Sequence, residues 1–173
     1  MKYFTSDWHD GHKNIIKYCD RPFKSIEEQC TVLLKNLSYL TEEDKLYVLG
    51  DCFFSRTDEE IRMFLNCIKS KKILIRGNHD RKSMKSWKNL GFDAVYKHLI
   101  ITISDTQFLL VHDPVAVLVF KGPTICGHVH NLWKNQPNLL NVSVDVRNFR
   151  PVSEHEIWLE NRALNLKKTI GDL

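Results

Sequence analysis

Residues 2–9 read Lys-Tyr-Phe-Thr-Ser-Asp-Trp-His, a short strand-like run followed by polar side chains. Lys2–Thr5 has the aromatic and β-branched character of a strand, and Asp7 and His9 follow it directly. The same pattern recurs along the chain as short apolar runs that end in Asp, Asn or His. These runs are Leu46–Leu49 before Gly50-Asp51, Ile73–Ile75 before Gly77-Asn78-His79-Asp80, Phe108–Val111 before His112, and Thr124–Cys126 before Gly127-His128-Val129-His130.

Strand ends of this kind predict one shared site. In open α/β sheets the ligand crevice lies outside the carboxyl ends of the strands, so the polar residues that follow them meet there. Asp7 and His9 are two residues apart, as are His128 and His130, so in extended backbone each pair faces one side. Taken singly, each piece also fits an ordinary turn or a hydrogen-bonded core histidine. Their conjunction favours a shared site.

The order of strands and helices predicts an α/β (α+β) fold. The first half alternates strand and helix, whereas the stretch from about residue 95 to 147 is mostly strands, which indicates added antiparallel pairing. Capping boxes mark three helix starts, because a hydroxyl residue is followed three positions later by Glu. The capping boxes are Ser25 to Glu28, Thr57 to Glu60 and Ser153 to Glu156, and the later strands include Leu99–Ile103 and Val142–Val146.

Length and composition indicate one domain over residues 1–173. The chain has 43% hydrophobic and 27% charged residues, as globular proteins do, and its net charge of +4 only permits an anionic partner. The apolar run Val115–Phe120 is too short to cross a membrane, and residues 1–7 lack the apolar core of an export signal. Five cysteines without a C-x-x-C pair are best read as reduced. We therefore expect a cytoplasmic protein with no membrane partner.

The ordered series of strand-end residues resembles the calcineurin-like metallophosphoesterase superfamily. The resemblance runs from residue 7 to residue 130. The stretch Ser6–Ile16, followed by Arg21-Pro22-Phe23, is similar to small single-domain microbial and viral members. The resemblance implies a sandwich of two mixed β-sheets flanked by helices.

The same resemblance implies a centre for two divalent metal ions. Its ligand set is Asp7, His9, Asp51 and His130 for one ion, and Asp51, Asn78, His112 and His128 for the second, with Asp51 bridging. Carboxylate, carboxamide and imidazole ligands without thiolates suit Mn²⁺, Fe or Zn²⁺. We expect Mn²⁺ first, with Fe, Zn, Ni and Mg as the alternatives.

The resemblance also implies a reaction. A hydroxide that bridges the ions would attack phosphorus, and His79 would stabilise or protonate the leaving oxygen. Asp80 would orient His79, or it would cap a helix over residues 81–88. The expected substrate is a phosphate ester, more specifically a phosphodiester of nucleotide or nucleic-acid type. A phosphomonoesterase and a non-catalytic metal-binding scaffold are the alternatives.

Departures from the family pattern narrow the substrate class. Protein Ser/Thr phosphatases carry an arginine one position earlier than Arg56 and a Glu where this chain has Asp80, so a phosphoprotein substrate is disfavoured. Asp113 follows His112 where many relatives have Gly, which indicates a different loop beside the substrate. Basic residues around Asn78 form either a solvated face or a surface for an extended anion: Lys69, Lys71, Lys72, Arg76, Arg81, Lys82, Lys85 and Lys88. Three more residues are either phosphate contacts or solvated surface: His12, Lys13 and Arg21.

Overall fold

A computed structural model describes residues 1–116 and 120–171 of the protein. Strands and helices are numbered in chain order. One sheet has the order β10-β1-β2-β3-β4 and consists of Lys2–Thr5 (β1), Lys45–Val48 (β2), Lys71–Ile75 (β3), Ala94–Tyr96 (β4) and Val152–Ser153 (β10). Its strands β1 to β4 are parallel, and β10 pairs with β1 in the antiparallel sense.

The second sheet is mixed as well. It has the order β5-β6-β7-β9-β8 and consists of Leu99–Ile103 (β5), Thr106–Leu110 (β6), Thr124–Cys126 (β7), Asn135–Gln136 (β8) and Leu139–Asn141 (β9). Strands β6, β7 and β9 are parallel, whereas β5 and β8 are antiparallel to their neighbours. The predicted architecture of two mixed sheets with flanking helices is therefore confirmed.

The described residues form five helices, three of which begin directly after a predicted cap, at Ser25, Thr57 and Ser153. The helices are Ile15–Tyr18 (α1), Ile26–Leu37 (α2), Asp58–Asn66 (α3), Met84–Leu90 (α4) and Glu154–Gly171 (α5). Thr57 and Glu60 form the complete reciprocal box at the start of α3. At α2 the Ser25 hydroxyl accepts from the Glu28 amide, but the Glu28 carboxylate reaches the amide of Lys24 instead.

Two large hydrophobic clusters lie on either side of the first sheet. Along β2, Leu46 and Val48 face helices α2 to α4, whereas Tyr47 and Leu49 face the second sheet. This alternation has the period of two that a strand covered on both faces requires. The first sheet is thus buried on both sides, and its carboxyl edge is the side left for a site.

The predicted strand Val142–Val146 is wrong. The chain forms β9 at Leu139–Asn141 and then a 3₁₀ turn at Val144–Val146. Alternation of Val with polar residues indicated a half-exposed strand, yet Ser143 and Val144 are both fully buried. The chain turns there because the Asp145 carboxylate is held inside the protein by Arg21 and His130.

The structure bears on two further predictions, one about membrane crossing and one about the cysteines. Among the described residues, no helix is both long enough and apolar enough to cross a membrane. The run Val115–Phe120 falls partly on residues 117–119, which lie outside the described residues. All five cysteines are unpaired, and Cys67 is exposed.

Candidate metal centre

The seven predicted ligands meet at the carboxyl edge shared by the two sheets. Asp7, His9 and His130 offer ligand atoms that lie within 4.8 Å of one another, and so do Asp51, His112 and His128. The seventh ligand, Asn78, joins the second group, because its Oδ1 lies 3.0 Å from Nε2 of His112 and 3.2 Å from Nδ1 of His128.

Five of the ligand side chains project from left-handed rather than extended backbone. Positive φ angles occur at Asp7 (58°), His9 (47°), Asp51 (55°), His128 (71°) and His130 (48°). Such conformations cost about 1 kcal/mol or more in non-glycine residues, and they cluster at functional sites. The expectation that each His or Asp pair faces one way along a strand is therefore wrong. The backbone is instead left-handed at these five ligands.

Glycines make room for the carboxylates of Asp51 and Asp7. A Cβ atom on Gly77 would collide with the carboxylate of Asp51, and one on Gly127 would collide with Ser6 and lie 2.7 Å from Oδ2 of Asp7. Only a hydrogen side chain allows these strand ends to approach so closely.

Asp51 occupies the middle of the site. Its Oδ2 lies 3.3 Å from Nε2 of His112, in the second group, and 3.7 Å from Nε2 of His9, in the first. Its other oxygen, Oδ1, accepts a 2.9 Å hydrogen bond from the amide of His79. One carboxylate oxygen is thus fixed by the backbone, and the other faces both groups.

The oxygen and nitrogen atoms that face the centre are of the kind that bind cations. The ring of His112 donates from Nδ1 to the carbonyl of Leu49 at 2.7 Å, so its Nε2 is the atom that faces Asn78 Oδ1 and Asp51 Oδ2. Nε2 of His9 is buried and has no hydrogen-bond partner among the described residues. The unpartnered Nε2 of His9 lies beside the oxygens of Asp51, and a divalent ion would satisfy these lone pairs.

The pKa values agree with a site that exchanges protons for metal. Burial alone would raise the pKa of Asp51, but its hydrogen bond with His112 outweighs this and lowers it to about 2. Burial would lower the pKa of His112, and the bond to Asp51 raises it instead to about 9. For His9, burial lowers the pKa to about 3, so its ring is neutral and ready to act as a ligand. A metal ion held by Asp51 and His112 would have to displace the proton that these two residues share.

Asp80 has a role that neither prediction anticipated. Its Oδ2 accepts hydrogen bonds of 2.8 Å from the amides of both Asp51 and Gly77, and its Oδ1 accepts from the amide of Cys52 at 3.3 Å. Its described partners do not include the ring of His79, and helix α4 begins later, with Ser83 as its cap. Asp80 is therefore buried, and its hydrogen bonds hold together the loops that carry the ligands.

His79 stands at the mouth of the site. Its side chain is 36% exposed, and its Nε2 lies 4.0 Å from Oδ2 of Asp51. The ring contacts His9 and Phe54 edge-on, with centroid distances of 5.5 and 5.7 Å. The ring can thus reach a substrate that is bound at the centre.

Two residues that support the site were not predicted in that role. Asp145 accepts a 2.7 Å hydrogen bond from Nδ1 of His130, which leaves Nε2 of that ring for an ion. Arg21 in turn holds Asp145 through two bonds of 2.7 and 3.0 Å and donates to the carbonyls of Asp7 and Trp8. The reading of Arg21 as a phosphate contact or solvated surface is wrong, because it is buried.

A third cluster of donors lies behind His130. Cys19, His130 and Asp145 also offer atoms within 4.8 Å of one another. Arg21 and Ser143 already bind the carboxylate of Asp145. This cluster therefore orients His130 rather than holding an ion.

Replacing Arg21 by Met should destabilise the protein by about 3–5 kcal/mol, because it leaves the buried carboxylate of Asp145 without its cation. Urea unfolding of the two proteins measures this difference. The matched control is Arg62→Met, which removes only an exposed ion pair with Glu59 at 3.7 Å and should cost less than about 1 kcal/mol. Equal losses in the two variants would contradict the supporting role of Arg21.

Comparison with known proteins agrees with this geometry. The chain matches the calcineurin-like phosphoesterase family over residues 3–171. The uncharacterised protein MJ1445 of Methanocaldococcus jannaschii is 34% identical over 182 residues, which cover 99% of this chain and 97% of the relative.

Solved structures share the fold. The crystal structure of AQ665, a protein of unknown function from Aquifex aeolicus, is 31% identical with a TM-score of 0.74, over 91% of this chain and 97% of its own. The nuclease MPE of Pseudomonas putida is 24% identical with a TM-score of 0.50, over 75% of this chain and 61% of its own, and it shares the fold alone. From the family match and the full-length relative, this chain belongs to the calcineurin-like phosphoesterases.

Proposed function

We propose that the protein is a binuclear metal-dependent phosphodiesterase. The observation that carries the proposal is the position of Asp51, whose Oδ2 faces Nε2 of His9 at 3.7 Å and Nε2 of His112 at 3.3 Å. A carboxylate between two groups of ligands is the arrangement by which one residue serves two ions.

The residues divide into two ligand sets. Asp7, His9, Asp51 and His130 would hold one ion, and Asp51, Asn78, His112 and His128 would hold the other. Two divalent ions, Mn²⁺ first among them, would supply an activated water and neutralise the charge of the phosphate.

The protein's own residues supply position and protons. Asp80 and the glycines fix the loops, so the ligands need little reorganisation when substrate binds. His79 lies outside both ligand groups and is partly exposed, which suits a ring that donates a proton from Nε2 to the leaving oxygen.

Phosphodiesters are favoured over phosphoproteins. Arg56 donates to Asp10 at 2.8 Å and to Glu60 at 3.1 Å, so its charge is already used within the protein. This pairing supports the prediction that a phosphoprotein substrate is disfavoured.

Metal-depleted protein tests the proposal when it is reloaded with Mn²⁺. We expect two ions per chain by mass spectrometry and hydrolysis of bis-p-nitrophenyl phosphate that depends on them. Faster cleavage of p-nitrophenyl phosphate would make the protein a phosphomonoesterase instead. Two bound ions without cleavage of either ester would establish the scaffold alternative.

A further inference from the structure

Four rings cross the mouth of the metal centre in series. Tyr18 meets His12 at a centroid distance of 5.9 Å, His12 meets Phe54 at 4.3 Å, and Phe54 meets His79 at 5.7 Å. We call Tyr18, His12, Phe54 and His79 the aromatic ladder. The outermost ring, Tyr18, is 68% exposed, so one of its faces is open to a ligand.

The ladder is joined to the metal centre. The ring of His12 lies 5.7 Å from that of His9, and Nδ1 of His12 is buried without a hydrogen-bond partner among the described residues. The ladder thus contacts His9, one of the proposed metal ligands.

A cavity of about 180 Å³ continues the ladder beyond His79. Its lining includes Ser55, Arg56, Arg81 and Lys82, and none of the described residues that line it is acidic. Arg56 and Lys82 are already paired with the carboxylates of Asp10 and Asp58, neither of which lines the cavity. Arg81 is exposed, and its guanidinium has no ion-pair partner among the described residues.

Cations also stand at the other end of the ladder. Lys17 precedes Tyr18 in helix α1, Lys13 lies just before the start of that helix, and both lysines are exposed. The mouth of the centre therefore has rings in the middle and positive charge at both ends.

We propose that the aromatic ladder and Arg81 bind a single strand of nucleic acid across the metal centre. This inference rests on the proposed function and names its substrate. Unpaired bases would stack at Tyr18, and a phosphate beyond the scissile one would bind Arg81. Single-strand binding proteins combine these two features, because every base has a stacking face and every nucleotide carries a phosphate.

The same features disfavour a duplex. In a double helix the bases are stacked on each other and their faces are inaccessible to a side chain. A mononucleotide or bis-p-nitrophenyl phosphate, in turn, has no second phosphate to reach Arg81.

Tyr18→Ala and Arg81→Ala test the proposal against two substrates, the oligonucleotide dT12 and bis-p-nitrophenyl phosphate, both with Mn²⁺. We expect each variant to lose roughly tenfold in kcat/KM for dT12 and less than about twofold for bis-p-nitrophenyl phosphate. Arg81→Ala should also lower the slope of log KM against log salt for dT12 by about 0.7, the value for one lost phosphate contact.

The matched controls are Tyr39→Ala and Arg62→Ala. Tyr39 is 54% exposed on the segment that precedes β2, at the opposite edge of the sheet, and Arg62 lies on the surface of α3. Both controls should cleave dT12 as the wild type does.

Anisotropy of fluorescein-labelled dT12 with EDTA present separates binding from catalysis. Tighter binding by the wild type than by Tyr18→Ala or Arg81→Ala supports the strand path even if no ester is cleaved. Three outcomes would overturn the inference. They are cleavage of bis-p-nitrophenyl phosphate without binding of dT12, equal rates on dT12 and its duplex, and equal losses of activity on both substrates in the variants. In the first of these outcomes the proposed function stands.

Discussion

The variant Asp51→Asn is expected to lose both metal ions and the activity together. Oδ2 of Asp51 faces both groups of ligands. Replacing this oxygen by an amide nitrogen therefore removes one electron-pair donor from each group. The new N–H groups would instead donate to the ring nitrogens of His9 and His112, which satisfies the lone pairs that a metal would use. We expect less than one ion per chain and a loss of activity beyond the 10- to 100-fold that indirect partners of a ligand cost.

Metal content and melting temperature distinguish this outcome from unfolding. The asparagine keeps the Oδ1 that accepts from the amide of His79, so the loop should stay in place. Asp105→Asn, in the exposed turn between β5 and β6, is the control and should keep both ions. Two ions retained by Asp51→Asn would refute the ligand assignment.

His79→Ala is expected to lower kcat while metal content stays unchanged. His79 belongs to neither group of ligands, yet its Nε2 is 4.0 Å from the central carboxylate. Loss of a proton donor typically costs about 10²- to 10⁴-fold. The loss should be greater for a methyl or phenyl diester than for a p-nitrophenyl diester, because p-nitrophenolate leaves readily without a proton.

Dependence on the leaving group is the decisive measurement for His79. Added imidazole should restore part of the activity, since the ring is 36% exposed and its place is open to solvent. His98→Ala, an exposed histidine between β4 and β5, is the control. An equal loss on good and poor leaving groups would show that His79 binds the phosphate rather than protonating the leaving oxygen.

Strand ends could be predicted from the sequence because they combine two local signals. An apolar run predicts the strand, and a ligand-type residue directly after it predicts where the side chain lies. Asp7, Asp51 and His128 were found in this way, and each lies in the centre. The class of fold followed from the same runs, because alternation of strand and helix is a local property.

Contacts between distant residues could not be predicted. Asp145 is 15 residues from His130 and 124 from Arg21, and its position in a valine-rich run resembled the polar face of a strand. Arg21 looked like surface because charged side chains are seldom buried. Asp80 was ambiguous for a related reason, since its carboxylate binds amides 28 and 29 residues away.

The metal centre spans the boundary between the two sheets, so a bound ion would affect the stability of the folded protein. Asp7 and Asp51 follow strands of the first sheet, whereas His112 and His128 follow strands of the second. An ion held by both sets would join the sheets as a cross-link that exists only in the folded chain. Free energy of binding then adds to free energy of folding, about 2.7 kcal/mol at an ion concentration 100 times Kd. The supply of metal would therefore govern how long the protein survives as well as how fast it works.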